Sequence, residues 1–237
     1  MWRTTKETNL QARQFYEHAI ELDPEYAAAY AGLGNAYELA FEYGWDRDPQ
    51  TLERAVELAQ KALTLDAALP TAHHVLAGPY LFKGQHDQAI AHLKQSIALA
   101  PNDAYGYLCL GHVLNVAGQP QEAIQVLEQA MRLNPYFSFD YLFNLGEAYA
   151  LAGRYGEAEA TLKKSLARNP DFWPSYLQLA IIYTEGDRHA EAQAAVAEVR
   201  RINSQLSLEV LARYKILYKD PAVFERMIAA LRQAGLE

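Results

Sequence analysis

Apolar residues recur along most of this chain at three- and four-residue intervals, which is the spacing of an amphipathic helix rather than the alternation of a strand. The stretch 104–117 reads AYGYLCLGHVLNVA, Gly118 follows, and 120–133 reads PQEAIQVLEQAMRL before Asn134 and Pro135. Glycine accepts the left-handed backbone that ends a helix, and proline forbids the continuation of one. The pattern therefore predicts a helix, a tight turn and a second helix.

This predicted helix pair is repeated along the chain. Small residues recur in three columns, first at an interval of 43 residues and then at 34 or 35. Because three independent sets of positions share one period, the sequence predicts about five full helix pairs with close packing at the small residues. The columns are Gly34, Ala77, Gly111, Gly146 and Ala180; Ala12, Ala55, Ala89, Ala123, Ala158 and Ala192; and Ala19, Ala62, Ser96, Ala130, Ser165 and Val199.

The ends of the chain depart from the repeat. Residues 4–22 match only the second helix of a pair, and 206–218 and 221–236 are predicted to form two capping helices that cover the last pair. We expect a single domain over 1–237. Its predicted segments are a capping helix or half repeat over 1–26, repeats over 27–69 (with an insertion at 41–49), 70–103, 104–137, 138–172 and 173–205, and capping helices over 206–237.

The repeated pattern resembles the tetratricopeptide repeat, whose period is 34 residues. The best matches are NLGEAYALAGRYGEA (144–158), LGNAY (33–37) and AIELDP (19–24), and the resemblance covers nearly the whole chain. It implies an all-α fold, a right-handed α-solenoid of tandem helix-turn-helix repeats with capping helices at both ends. It also implies a non-catalytic scaffold that binds a peptide or partner segment in a concave groove, because this family is a scaffold rather than an enzyme class.

A second resemblance concerns the insertion and the C-terminal end. YGWDRDP (43–49), KDP (219–221) and FERMIAALRQAGL (224–236) are similar to the tetratricopeptide region that follows many bacterial class III adenylate/guanylate cyclases. This resemblance implies an alternative function, a regulatory or oligomerisation region of a larger bacterial signalling protein. No stretch of the chain resembles the cyclase catalytic domain.

The insertion also carries three aromatic residues, Phe41, Tyr43 and Trp45. One hypothesis is that they form an exposed knob that docks a partner. The other is that they pack over the end of the helix stack, against Trp2, because clustered aromatic residues usually join a core.

Composition excludes several classes of protein. The chain has 237 residues, 51% of them apolar, with 29 Asp and Glu against 21 Lys and Arg, for a formal net charge of −8. An acidic chain is a poor binder of nucleic acid, which is recognised through clustered Lys and Arg. No apolar run approaches the roughly 20 residues that span a bilayer, and the first residues lack the apolar core of a signal peptide. We therefore expect a cytoplasmic protein without nucleic-acid or membrane partners.

The search for catalytic chemistry gives no candidate. The sequence contains neither a phosphate-binding glycine motif nor an H-E-x-x-H pair, and its single Cys109 excludes an intrachain disulfide and a cysteine-cluster metal site. Cys109 lies on an inward-facing helical stretch and is expected to be a packed thiol. The sequence predicts a non-enzyme with no cofactor and no metal.

The binding surface is predicted on the first helix of each pair, on the side that faces away from the small-residue columns. Asparagine there can pair with a peptide backbone, and aromatic side chains supply anchor area. The acidic members favour neutral, apolar or mildly basic segments over strongly acidic ones. Self-association through an end helix or the insertion is a further hypothesis. The predicted residues are Asn35, Glu38, His74, Phe82, Tyr105, His112, Asn115, Asp140, Phe143, Glu147, Leu177 and Ile181.

Overall fold

A computed structural model describes residues 5–237 of the chain. Those residues form thirteen α-helices and no β-strand, so the predicted all-α fold of tandem helix pairs is confirmed. The helices are α1 (Lys6–Leu22), α2 (Ala27–Glu42), α3 (Pro49–Leu65), α4 (Pro70–Phe82), α5 (His86–Leu99), α6 (Ala104–Val116), α7 (Pro120–Leu133), α8 (Phe139–Leu151), α9 (Tyr155–Arg168), α10 (Trp173–Glu185), α11 (His189–Ile202), α12 (Leu208–Ala212) and α13 (Pro221–Gln233).

The chain divides into two compact units. The first unit ends at Asn102 and contains α1 to α5, and the second unit begins at Asp103 and contains α6 to α13. Within each unit the first helices of successive pairs are neighbours, α2 beside α4 in the first, and α6, α8 and α10 in order in the second. The single domain over 1–237 stays a prediction.

The predicted turns are present. Gly84, Gly118 and Gly153 each follow a first helix with φ of 71°, 75° and 75°, a backbone conformation that favours glycine over every other residue. The insertion also ends as predicted, since the Asp48 side chain accepts a hydrogen bond from the backbone N–H of Gln50 at 2.9 Å. At these four positions, local residue chemistry therefore sets where a helix ends or begins.

The small-residue columns lie at the helix crossings. The column alanines Ala55, Ala89, Ala123, Ala158 and Ala192 are fully buried. In the second unit the absence of a side chain at Gly146 lets Leu162 of α9 approach α8, and a Cβ at that position would lie 2.7 Å from the Leu162 Cγ atom. Close packing at these positions defines the distance between the two helices of a pair.

Helix α1 packs as the second helix of an incomplete pair, as its sequence predicts. Asn9 is buried and donates from Nδ2 to the carbonyl oxygen of Ala36 at 2.9 Å, and the Arg13 guanidinium lies 3.9 Å from the Tyr37 ring centroid. On the other side of α1, Phe15 and Leu22 are 75% and 74% exposed. Helix α1 therefore covers α2 but has no covering helix of its own among the described residues.

The aromatic residues of the insertion separate into two contacts. Phe41 packs edge-on against Phe82 of α4, with ring centroids 5.1 Å apart, whereas Tyr43 stacks on Trp45 at 4.9 Å and is 56% exposed. Phe41 thus joins the packed surface of the first unit. The predicted partner Trp2 lies outside the described residues.

The predicted capping helix over 206–218 is wrong in its extent. Helix α12 has only five residues, a 3-10 turn follows over Lys215–Leu217, and Tyr218 is extended with ψ of 121°. The second capping helix is confirmed as α13, which begins at Pro221 after its N-cap Asp220 and is followed by Gly235 at φ 96°. The apolar spacing of 206–218 fits one helix. The helix ends early because Tyr218 and Lys219, at the end of this segment, make contacts with residues far away in the sequence.

No helix among the described residues has the length and apolar character required to cross a membrane.

Candidate functional site

All twelve predicted binding residues lie on first helices, namely α2, α4, α6, α8 and α10. Their exposure differs strongly from one helix end to the other. Tyr105, at the start of α6, is 52% exposed, whereas Asn115, near its end, is 1% exposed. The structure therefore places these residues on the predicted helices but leaves only some of them open to solvent.

In the first unit, Glu38 of α2 contacts α4 at Gly78. The carboxyl group of Glu38 occupies the space that a side chain at position 78 would fill. Burial raises the pKa of the Glu38 carboxyl group well above 4.5, and the charge of Glu42 raises it further. A cation placed beside this carboxyl group would lower its pKa.

Sequence reasoning identified Glu38 but missed Gly78. The small-residue column passes through the neighbouring Ala77, so Gly78 lies one position outside the repeat pattern. A glycine inside a helix costs about 0.5–1 kcal/mol relative to alanine, and this unexplained glycine was the available signal.

Gly78→Ala is expected to push the Glu38 carboxyl group toward solvent and to lower its pKa toward 4.5. The free energy of unfolding should stay constant or rise by up to about 1 kcal/mol, because Glu38 is a flexible side chain and alanine favours the helix. Carboxyl chemical shifts followed by NMR over a pH titration measure the pKa. A Glu38 pKa that stays high in the variant would contradict the contact.

The same burial makes stability depend on pH in a defined direction. Just above pH 4.5 the folded protein retains the Glu38 proton that the unfolded chain has lost. The contribution of Glu38 to stability is therefore lost as pH rises through this window, and Gly78→Ala should reduce that loss.

In the second unit, a hydrogen-bonded cluster joins three first helices. Asn115 of α6 donates from Nδ2 to the carbonyl oxygen of Asn144 at 2.9 Å and to Glu147 Oε2 of α8 at 3.2 Å. Gln178 of α10 donates from Nε2 to Glu147 Oε1 at 3.2 Å. The three side chains of this cluster, Asn115, Glu147 and Gln178, are at most 5% exposed.

Burial and the neighbours of Glu147 in this cluster shift the pKa of its carboxyl group in opposite directions. Burial raises the pKa of the Glu147 carboxyl group, while the charge of His112 and the amide N–H groups of Asn115 and Gln178 lower it. Two amide donors on one buried carboxylate partly offset the loss of its hydration. Asn115 thus binds its own chain in this structure, although the sequence predicted that it would bind a ligand backbone.

Sequence reasoning missed Gln178, which completes the cluster. It follows Leu177 on α10, and both are buried, at 5% and 8% exposure. Ile181 is also buried, and it lines a small cleft together with Gln178, Arg226 and Met227. A polar side chain one position from a predicted apolar liner was the signal available in the sequence.

The starts of the same helices present aromatic and acidic side chains. Phe143 of α8 packs edge-on against Phe172, with ring centroids 5.2 Å apart, and Asp140 accepts a hydrogen bond from the Ser138 hydroxyl group. Both Phe143 and Asp140 remain half-buried, and Tyr105 is exposed. These three residues form the open part of the surface in the second unit.

The C-terminal segment covers the other part. The backbone N–H of Lys219 donates to the carbonyl oxygen of Val116, the last residue of α6, at 2.9 Å. Burial raises the pKa of the Tyr218 hydroxyl group, and the nearby charge of Glu147 raises it further. Tyr218 also packs against Phe224 of α13, with ring centroids 5.5 Å apart.

Two histidines, His73 and His92, lie close together in the first unit. Nδ1 of His73 lies 3.1 Å from Nδ1 of His92, and Tyr80 stacks on His92 at 5.2 Å. Burial lowers the pKa of both imidazoles. Residues 5–237 contain no group of three or more His, Cys, Asp or Glu side chains placed to hold one ion.

Comparison with family models gives matches over more than half of the chain. The tetratricopeptide repeat model matches residues 117–177 and 150–212, and a second model, described as TPR repeat, matches residues 80–115.

Individual curated proteins and solved structures are also similar to this chain. Superkiller protein 3 of Schizosaccharomyces pombe is 25% identical over 229 residues, which are 91% of this chain and 16% of that protein. Putative adenylate cyclase 3 of Rhizobium meliloti is 34% identical over 71 residues, 30% of this chain and 12% of that protein. The chain thus spans less than a fifth of the length of these two relatives. Among solved structures, YrrB, a TPR protein with an unusual peptide-binding site, has a TM-score of 0.57 and 23% identity, covering 85% of this chain and 99% of its own.

Proposed function

The chain belongs to the tetratricopeptide repeat family, and we propose that it is a non-catalytic scaffold that binds a peptide or partner segment on the faces of its first helices. The observation that carries this proposal is the set of partly open aromatic and acidic side chains on those helices. Tyr105, Asp140 and Phe143 in the second unit, and Glu38 and Phe82 in the first, meet this description.

The charge of these faces favours a neutral or basic partner. In the first unit Glu38 carries a pKa raised by burial and by Glu42, and a lysine or arginine of a partner would relieve both effects. In the second unit Asp140 lies on the same helix as Phe143, so an acidic group stands beside an aromatic anchor. An acidic partner would add like charge at both places.

Capture of a partner by variants of the full chain tests the proposal. The double variant Tyr105→Ala and Phe143→Ala is expected to reduce capture from a lysate of the source organism at least tenfold, because aromatic anchors supply much of the binding energy at such surfaces. Tyr136→Ala is the matched control, since Tyr136 is 95% exposed and lies in the turn before α8. Circular dichroism should show the same helicity in all three proteins.

Equal capture by the double variant and by the control would refute the assignment of the first-helix face. Mass spectrometry identifies the captured protein, which then serves as the partner in crosslinking experiments.

A second function is favoured by the adenylate cyclase match. Under this alternative the chain is a regulatory or oligomerisation region of a larger bacterial signalling protein. The sequence of the source gene is the test: an open reading frame that joins this segment to a cyclase domain supports it, and a reading frame limited to these residues contradicts it. Light scattering of the isolated chain measures self-association, which this alternative requires of an oligomerisation region. The cytoplasmic location stays a prediction.

A further inference from the structure

The ends of the first helices are closed in the second unit. Every residue is buried from Val113 to Ala117, from Asn144 to Tyr149 and from Leu177 to Thr184. The corresponding end of α2 in the first unit keeps Tyr37, Glu38 and Leu39 half-buried. Helices of the same repeat pattern thus differ in how much of their surface is covered, and the second unit has a covering segment that the first lacks.

That covering segment is residues 213–220, here called the strap. It leaves α12 at Ala212 and returns to α13 at Pro221. Within it, the Lys219 N–H group donates to the Val116 carbonyl oxygen at the end of α6. The charge of Glu147 on α8 acts on the Tyr218 hydroxyl group, so the strap connects α13 to α6 and comes near α8. Its sequence is RYKILYKD.

The strap is anchored firmly at its base and weakly at its tip. At the base, the Leu208 N–H group donates to the Glu237 carbonyl oxygen at 2.9 Å, and Phe224 and Leu231 of α13 are buried at 5% and 2% exposure. At the tip, Tyr214 and Ile216 are 37% and 53% exposed, and the Lys215–Glu225 ion pair is open to solvent. Segments with exposed side chains open locally before the core does, so opening begins at Tyr214 and Ile216. Release of Tyr218 then breaks its ring contact with Phe224 while α13 stays in place.

The contacts of the strap define what this surface recognises. It accepts an aromatic ring that packs on Phe224 within range of the Glu147 charge, and a backbone N–H at the carbonyl end of α6. The negative end of a helix dipole favours a cationic residue at that place, where the strap has Lys219. These are features of a short segment in which an aromatic residue is followed by a basic one.

We infer that the strap is an internal ligand of the second unit, held where a partner segment with an aromatic residue followed by a basic one would bind. This inference rests on the proposed function and names the partner chemistry for one part of the surface. Such a partner binds over the ends of α6 and α8 only when the strap is displaced, whereas α13 covers the end of α10. Only molecules with an open strap bind the partner, so the apparent association constant equals the intrinsic one multiplied by the fraction of molecules in which the strap is open.

A fluorescent peptide with the sequence of residues 214–220, YKILYKD, is the probe, and anisotropy with the full chain is the measurement. Tyr218→Ala removes the ring that competes with the peptide. If the strap is closed in about 90–99% of molecules, this variant should bind the peptide about 10- to 100-fold more tightly than the unmodified chain. Ile216→Ala, an exposed position of the same strap, is the matched control and should bind like the unmodified chain.

Lys219→Pro provides a second variant, because proline lacks the N–H that bonds Val116 while the extended Tyr218 before it suits a following proline. It should also strengthen peptide binding. In the unmodified chain, hydrogen exchange should show a protected Lys219 amide that loses its protection when the peptide is added in excess.

Equal affinity of the unmodified chain and both strap variants, with helicity retained, would overturn the inference. A freely exchanging Lys219 amide in the unmodified chain would also overturn it. Either result leaves the proposed function standing if capture of the cellular partner still depends on Tyr105 and Phe143. Loss of that dependence refutes the proposed function itself.

Discussion

Asn115→Asp is expected to lower the free energy of unfolding of the second unit by about 3–5 kcal/mol at neutral pH, the range for breaking a buried charged network. Asn115 Nδ2 lies 3.2 Å from Glu147 Oε2 and 2.9 Å from the carbonyl oxygen of Asn144. The substitution replaces this donor by an oxygen atom of nearly the same size. It therefore removes two hydrogen bonds and places two carboxylates in contact inside the protein.

The loss should shrink as the pH falls, because a protonated carboxyl group can donate one of the missing hydrogen bonds. Urea unfolding at several pH values measures this dependence. Asn102→Asp is the matched control, since Asn102 is exposed in the turn before α6 and its change should stay within about 0.5 kcal/mol. Similar stability of the two variants at neutral pH would show that the cluster does not hold α6, α8 and α10 together.

Leu162→Ala is expected to cost about 2–5 kcal/mol of stability, because it opens a cavity in a packed interior. Leu162 is fully buried on α9 and fills the space that Gly146 leaves on α8. Leu22→Ala is the matched control, since Leu22 is 74% exposed and its truncation should change stability by less than about 0.5 kcal/mol. Chemical denaturation of both variants gives the comparison.

The same pair of positions allows a sharper test. A Cβ at position 146 would lie 2.7 Å from Leu162 Cγ, so Gly146→Ala alone should destabilise the protein through overpacking. In the Leu162→Ala background the added methyl group enters vacated space and should restore part of the loss. Additive effects of the two substitutions would contradict direct packing between these positions.

The fold was predictable because its determinants are local and repeated. Gly118 and Gly153 mark turns by their backbone freedom, and the alanines of the columns mark helix crossings by their size. Each of these signals acts within one helix pair and recurs in the next. The half repeat at α1 was predictable for the same reason, since Ala12 and Ala19 continue two of the columns.

The site was predictable only in part, because its contacts join residues far apart in sequence. The pattern identified Asn115 and Glu147 as lying on one face, but not that Gln178 would bond Glu147 and complete a buried cluster. The segment 206–218 has helical spacing, yet Tyr218 adopts an extended backbone, packs against Phe224 of α13 and is followed by Lys219, whose N–H group bonds the end of α6. Tertiary contacts of this kind override local propensity, and single-sequence periodicity carries no record of them.

The central claim is that a polypeptide partner binds on the first-helix face, and site-specific photo-crosslinking to the captured partner tests it most directly. A photoreactive phenylalanine at position 105, exposed at the start of α6, should crosslink that partner. The same group at position 164, exposed on the second helix α9, should not. Crosslinking from position 164 with none from position 105 would place the partner on the opposite face and contradict the account.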